Sequence, residues 1–138
     1  RLWRGKMSVR DLKAQFRTAL DKNHFSPAGN IAHEIGRLLE DSGDPAGALK
    51  WHRRDAELQQ RASSLPDEVE AHHRVGLCLL TLDRYEEAAQ AFEEQRSCAS
   101  MLRGPGRDRK TQEALVNLGR AHYEQSAWLK DGDHPEPA

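Results

Sequence analysis

Cysteine is scarce in this chain of 138 residues: Cys78 and Cys98 are the only two, and they form no Cys-x-x-Cys pair. That excludes a disulfide-dense secreted scaffold and favours a reducing compartment. Long apolar runs are lacking as well. Nothing approaches the roughly 18 consecutive apolar residues of a membrane span, so no membrane partner is expected. Arg1-Leu2-Trp3-Arg4-Gly5-Lys6 has no hydrophobic centre and is not a signal peptide. Met7-Ser8 is a candidate natural start with six residues ahead of it, and residues 1–7 are expected to be a disordered leader. Net charge is nearly nil, 21 Lys and Arg against 22 Asp and Glu, so direct nucleic-acid binding is not expected from global charge. Locally the balance tilts: residues 1–25 carry seven cations against two acids, or +5, which reads most simply as a solvated helix face.

Chemistry-bearing patterns are also missing. No strand pattern occurs, so no glycine-rich phosphate loop follows one. Seven histidines raise the question of a metal. His72 and His73 point to different sides of a helix, Arg37 lies one turn from His33, and no pair has zinc spacing with a cysteine partner. No metal, cofactor or small-molecule substrate is expected. Cys98 and His122 fall at expected packing positions, so no nucleophile–base pair is read there and the protein is not expected to be an enzyme.

What remains is helix, punctuated by Gly, Pro and Asp. Ser8 or Asp11 caps a helix to about Lys22. Pro27 is placed to open a second, which ends near Ser42-Gly43-Asp44 with Gly43 as a left-handed cap. Pro45 starts a third, through about Ala62, with Trp51 or His52 on its inner side. Pro66 starts a fourth, to Leu82-Asp83, and Tyr85 a fifth. After Arg103-Gly104-Pro105-Gly106-Arg107 comes a last helix from Lys110 to about Trp128, turning Leu115, Leu118, Ala121 and His122 inward. Residues 129–138 read as linker or frayed end.

A glycine recurs in these helices: His33-Glu34-Ile35-Gly36, His73-Arg74-Val75-Gly76 and Asn117-Leu118-Gly119. Small residues, Ala48 and Ala88, follow the first two by twelve positions. Glycine inside a helix costs about 1 kcal/mol against alanine, so its recurrence implies close approach of two helices, with the alanine answering from the opposing one. Tyr85-Glu86-Glu87-Ala88 and Phe92 complete the second copy. The pattern resembles the tetratricopeptide repeat. That resemblance implies an all-α helical-hairpin solenoid over residues 8–128: an N-terminal helix 8–22, repeat one 27–62, repeat two 66–103 and a half repeat 109–128. The spacings, 40 from Gly36 to Gly76 and 43 to Gly119, exceed the family's usual 34 and point to long-repeat members.

By the 3.6-residue period, helix positions flanking each glycine line a groove. The first unit supplies Asn30, His33, Arg37 and Glu40; the second Glu70, His73, Leu77 and Leu80; the third Glu113, Arg120 and Tyr123. Such a mixed surface suits an extended or helical peptide with basic and apolar residues. The chaperone-binding subclass, which grips a C-terminal carboxylate with lysine and asparagine, is excluded: His33 replaces the lysine and the repeats are too long.

A closer likeness is to the N-terminal repeats of the Tonsoku-like family. It rests on Met7-Ser8, the short basic helix, His33-Glu34-Ile35-Gly36, Ala48-Leu49-Lys50-Trp51, the 40-residue step, and Leu118-Gly119-Arg120-Ala121-His122. It implies a nuclear scaffold of replication-fork maintenance and recombinational repair, with a histone tail or repair factor as partner. Two alternatives stand beside it. One is a Pins-type spindle-orientation scaffold, echoed by Trp51-His52-Arg53-Arg54-Asp55 and Asn117-Leu118-Gly119. The other is the regulatory segment of a larger enzyme; for either, cytoplasm is the alternative to nucleus.

Overall fold

The computed structural model describes residues 7–132. Apart from Met7, the expected leader lies outside the described residues, as do 133–138 of the expected tail. Six α-helices follow one another: α1 Val9–Asp21, α2 Phe25–Asp41, α3 Pro45–Arg61, α4 Leu65–Thr81, α5 Tyr85–Ser100 and α6 Arg107–Lys130. Among the described residues there is no strand. Substantial contacts run between consecutive helices, α1 on α2 and so on to α6. This is the near-neighbour packing of a repeat-like all-α array.

The helices start where local chemistry directs. Ser8 Oγ accepts from Asp11 N at 3.1 Å, and Asp44 Oδ1 accepts from Gly47 N at 2.9 Å ahead of Pro45, the first residue of α3. Pro27 does not open α2. That helix begins at Phe25, and Pro27 occupies its first turn, where the backbone N–H has no intrahelical acceptor. The last helix is longer than expected at both ends, and 129–130 belong to it.

Four turns share one conformation. Asn23, Gly43, Ser63 and Asp83 all have positive φ, 56, 83, 56 and 57°. Behind each, the next N–H reaches back five residues: His24 to Ala19, Asp44 to Leu39, Ser64 to Gln59, Arg84 to Leu79, all at 2.8–2.9 Å. This Schellman closure satisfies the last carbonyls of each helix and reverses the chain. The turns fall 20 residues apart, so α2 to α5 begin at 25, 45, 65 and 85. The unit of the fold is therefore one helix plus one turn, and the 40-residue step is two of them.

Three apolar clusters result. Phe16, Ala28, Ala32 and Leu58 join α1 to the first hairpin, with the Phe16 and Trp51 rings edge-on at 5.0 Å. The largest cluster runs from Ala48 and Leu49 through Val75, Leu79, Leu80, Ala88 and Phe92 to Ala121. Val69, Cys98 and Ala99 form the third. In α6, Ala114 and Ala121 are buried, whereas Leu115 and His122 are exposed. Both had been expected inside.

Candidate functional site

The recurring glycines mark helix–helix contacts, but alanine is not what meets them. A Cβ on Gly36 would come within 2.5 Å of His52 Cε1, and one on Gly76 would overlap the Phe92 ring. Ala48 and Ala88 are fully buried nearby in the core. Gly119 has nothing within 4 Å. A fourth glycine, Gly29, makes room for Gln59, whose Nε2 would lie 2.5 Å from an added Cβ.

This geometry corrects part of the expected groove. Positions three before and four after each glycine lie on the glycine's own side of the helix, the side that the next helix covers. Leu80 is accordingly core, 5% exposed. Glu40 is drawn inward to His52, with Oε1 2.5 Å from Nε2. His33 and His73 are half-buried, and His73 Nδ1 accepts from Asn117 Nδ2 at 2.9 Å. Tyr123, in the same register on α6, stands exposed, and no helix among the described residues covers it. The positions farther round remain at the surface. Asn30, Arg37, Glu113 and Arg120 are exposed, and Glu70 and Leu77 are partly so. Several are tied to neighbours: Asn30 accepts from Gln59, Glu70 from Arg74, and Glu124 from Arg120. A mixed polar strip thus crosses α2, α4 and α6.

Sequence reasoning offered His52 as an inner residue of α3 but missed the buried polar row to which it belongs. His52, Asp55 and Gln59 follow at i, i+3 and i+7, one face of the helix, and all are buried. Gln59 Nε2 donates to Asp55 Oδ1 at 3.0 Å and to the Ser26 carbonyl at 3.2 Å, while its Oε1 accepts from Ser26 Oγ at 2.9 Å. Asp55 Oδ2 faces His33 Nδ1 at 3.8 Å. Burial pushes the Asp55 carboxyl up to about 7, against the hydrogen bond from Gln59. Burial also holds His33 and His52 below the usual histidine range; the Glu40 hydrogen bond opposes this at His52, and Arg74 adds to it at His33. The signal available in the sequence was His52-x-x-Asp55 beside a glycine-spaced partner helix, but ligands drawn from two helices have no linear motif.

Among the described residues, three groups of side chains could hold a metal ion: His33, His52 and Asp55; Glu40, His52 and Cys78; Glu68, His72 and Cys98. In the third, Cys98 Sγ donates to Glu68 Oε2 at 3.1 Å. Burial pushes both thiols up to about 12, so each stays protonated and bound to its carboxylate. Cys98 is buried as expected, but His122 is exposed, not at a packing position.

Compared with models of known protein families, the chain matches none, and no solved structure matches it.

Proposed function

We propose that this chain is an interaction scaffold of the tetratricopeptide-repeat type, with long repeats, that binds a protein or peptide partner and carries out no catalysis. The observation that carries the proposal is the open face of α6. Leu115, Val116, Tyr123 and Leu129 are 42, 69, 75 and 64% exposed. At 100° per residue they share one side of the helix with Gly119. In α2 and α4 the corresponding side is closed by His52 and Phe92 of the following helix. An exposed apolar stripe of this kind marks an interaction surface. A partner helix with a bulky apolar residue over Gly119 would cover this stripe, and the polar strip through Arg37, Glu70 and Arg120 would add specificity.

The resemblance to Tonsoku-like proteins supports a nuclear role in replication-fork maintenance or recombinational repair, with a histone tail or repair factor as the partner. Pull-down of core histones by the chain and by Tyr123→Asp tests both parts. Binding that falls at least about tenfold in the variant is expected, because a charge on an apolar anchor costs about 1.4 kcal/mol or more. Absence of histone binding overturns the histone reading. Binding that Tyr123→Asp leaves intact overturns the role of α6.

A further inference from the structure

Among the described residues, His52 Nδ1 is the buried side-chain polar atom without a hydrogen-bond partner. The ring is fully buried, and its other nitrogen is committed to Glu40. With Nε2–H donating to that carboxylate, the tautomer is set and Nδ1 presents a lone pair. An orphaned acceptor in a buried seam costs free energy unless a donor or a metal ion meets it.

His52 also belongs to a set of candidate ligands. The donor atoms of His33, His52 and Asp55 lie within 4.8 Å of one another. The His33 and His52 rings are 5.5 Å apart, edge-on. The His33 Nδ1 to Asp55 Oδ2 distance of 3.8 Å is close to the roughly 3.4 Å edge of a tetrahedron with 2.0–2.1 Å bonds. We propose that His33, His52 and Asp55 form a divalent transition-metal site, best suited to zinc, clamping α2 to α3.

The surroundings are those of a prepared site. Glu40 orients the His52 ring, a carboxylate–histidine–metal arrangement, and Gln59 Nε2 holds Asp55 Oδ1 so that Oδ2 is left toward His33. Two nitrogens and one oxygen suit zinc and disfavour magnesium or calcium. His33, whose side chain is 23% exposed, has the freedom to close the remaining distance and marks where a fourth ligand, water or a partner side chain, enters. Arg37 and Arg74 oppose a cation near His33; Glu34 and Glu70 offset them, and Glu70 binds Arg74 directly at 3.2 Å. Of the two cysteine-containing groups, Glu68, His72 and Cys98 holds no orphaned buried nitrogen or oxygen, and in Glu40, His52 and Cys78 the two oxygen and nitrogen ligands are already bonded to each other.

The test is titration of the chelator-treated chain with Co²⁺ and then Zn²⁺, followed by visible absorption and thermal melting. One equivalent of cobalt should bind with the ligand-field spectrum of a tetrahedral nitrogen–oxygen site and no thiolate charge-transfer band. Zinc should displace it and raise Tm by about 5 °C or more. His33→Ala and Asp55→Asn, each checked for retained helicity, should weaken binding by more than about 100-fold, beyond what a change of supporting residue does. Cys78→Ser and Cys98→Ser should not alter it. No binding at 100-fold excess metal, a thiolate band that disappears in Cys98→Ser, or unchanged binding in His33→Ala would each overturn the proposal.

Discussion

The hairpins α2–α3 and α4–α5 are copies 40 residues apart, and they are held together by opposite chemistry. In the first, His52 sits over Gly36, with Asp55 and Gln59 continuing the row and Gly29 opening space for Gln59. In the second, the same register reads Phe92, Gln95 and Ala99, and Val69 stands where Gly29 was. Volume is conserved by exchange: glycine against glutamine in one seam, valine against alanine in the other. Polarity is not conserved. A buried apolar seam gains from every methylene it excludes from water, whereas a buried polar seam must satisfy each donor and acceptor merely to break even. The second hairpin is apolar at its glycine contact, and its one polar residue in the row, Gln95, accepts from Asn117 of α6. The first retains groups whose cost only a ligand or a proton offsets.

Exchanging the two central residues breaks the comparison most severely. Phe92→His puts an unpartnered polar ring in the largest cluster and should cost about 3 kcal/mol or more in denaturant unfolding. His52→Phe, with Glu40 33% exposed and able to turn to water, should stay within about 1.5 kcal/mol of the parent. Equal costs for the two exchanges would mean that the seams do not differ as described.

A second test uses pH, in metal-free protein. Native Asp55 holds its proton up to about 7, against 3.8 ordinarily, so it binds protons more tightly folded than unfolded. Its contribution is therefore complete below about pH 4 and is lost as pH rises to about 7. Asparagine cannot ionise and can still accept from Gln59. Asp55→Asn should gain stability over the parent progressively between about pH 4 and 7 and then by a constant amount; His33, His52 and His73, whose pKa values are lowered, act in the opposite direction but are common to both proteins. A difference independent of pH would show that Asp55 is not desolvated. The smallest effect belongs to the turns: Ser63→Gly, at φ 56°, should stabilise by about 0.5–1 kcal/mol, bringing that junction level with Gly43. Destabilisation there would contradict the shared turn geometry.

The repeating glycine and the six helices were legible because each rests on a local, strongly periodic signal. Gly43 and Pro45 were read correctly for the same reason. The 20-residue half-period was hidden, since Asn23, Gly43, Ser63 and Asp83 share a backbone angle and not a side chain. Leu80 and Glu40 were assigned to a groove because periodicity gives angular position around a helix and not which neighbour occupies it. His52 was an inner candidate beside Trp51, but Asp55 and Gln59 escaped notice because polar residues in a helix read as its outer face until the opposing glycines are placed against them.

The three glycines offer the most direct measurement. Alanine at each differs by one methyl group, and thermal or denaturant unfolding of Gly36→Ala, Gly76→Ala and Gly119→Ala compares two closed contacts with an open one. The first two should each lose about 1–3 kcal/mol as His52 and Phe92 are displaced. Gly119→Ala should gain about 0.5–1 kcal/mol, the helix preference alone, because nothing opposes the added carbon. Destabilisation by Gly119→Ala in the isolated chain would contradict an open third unit.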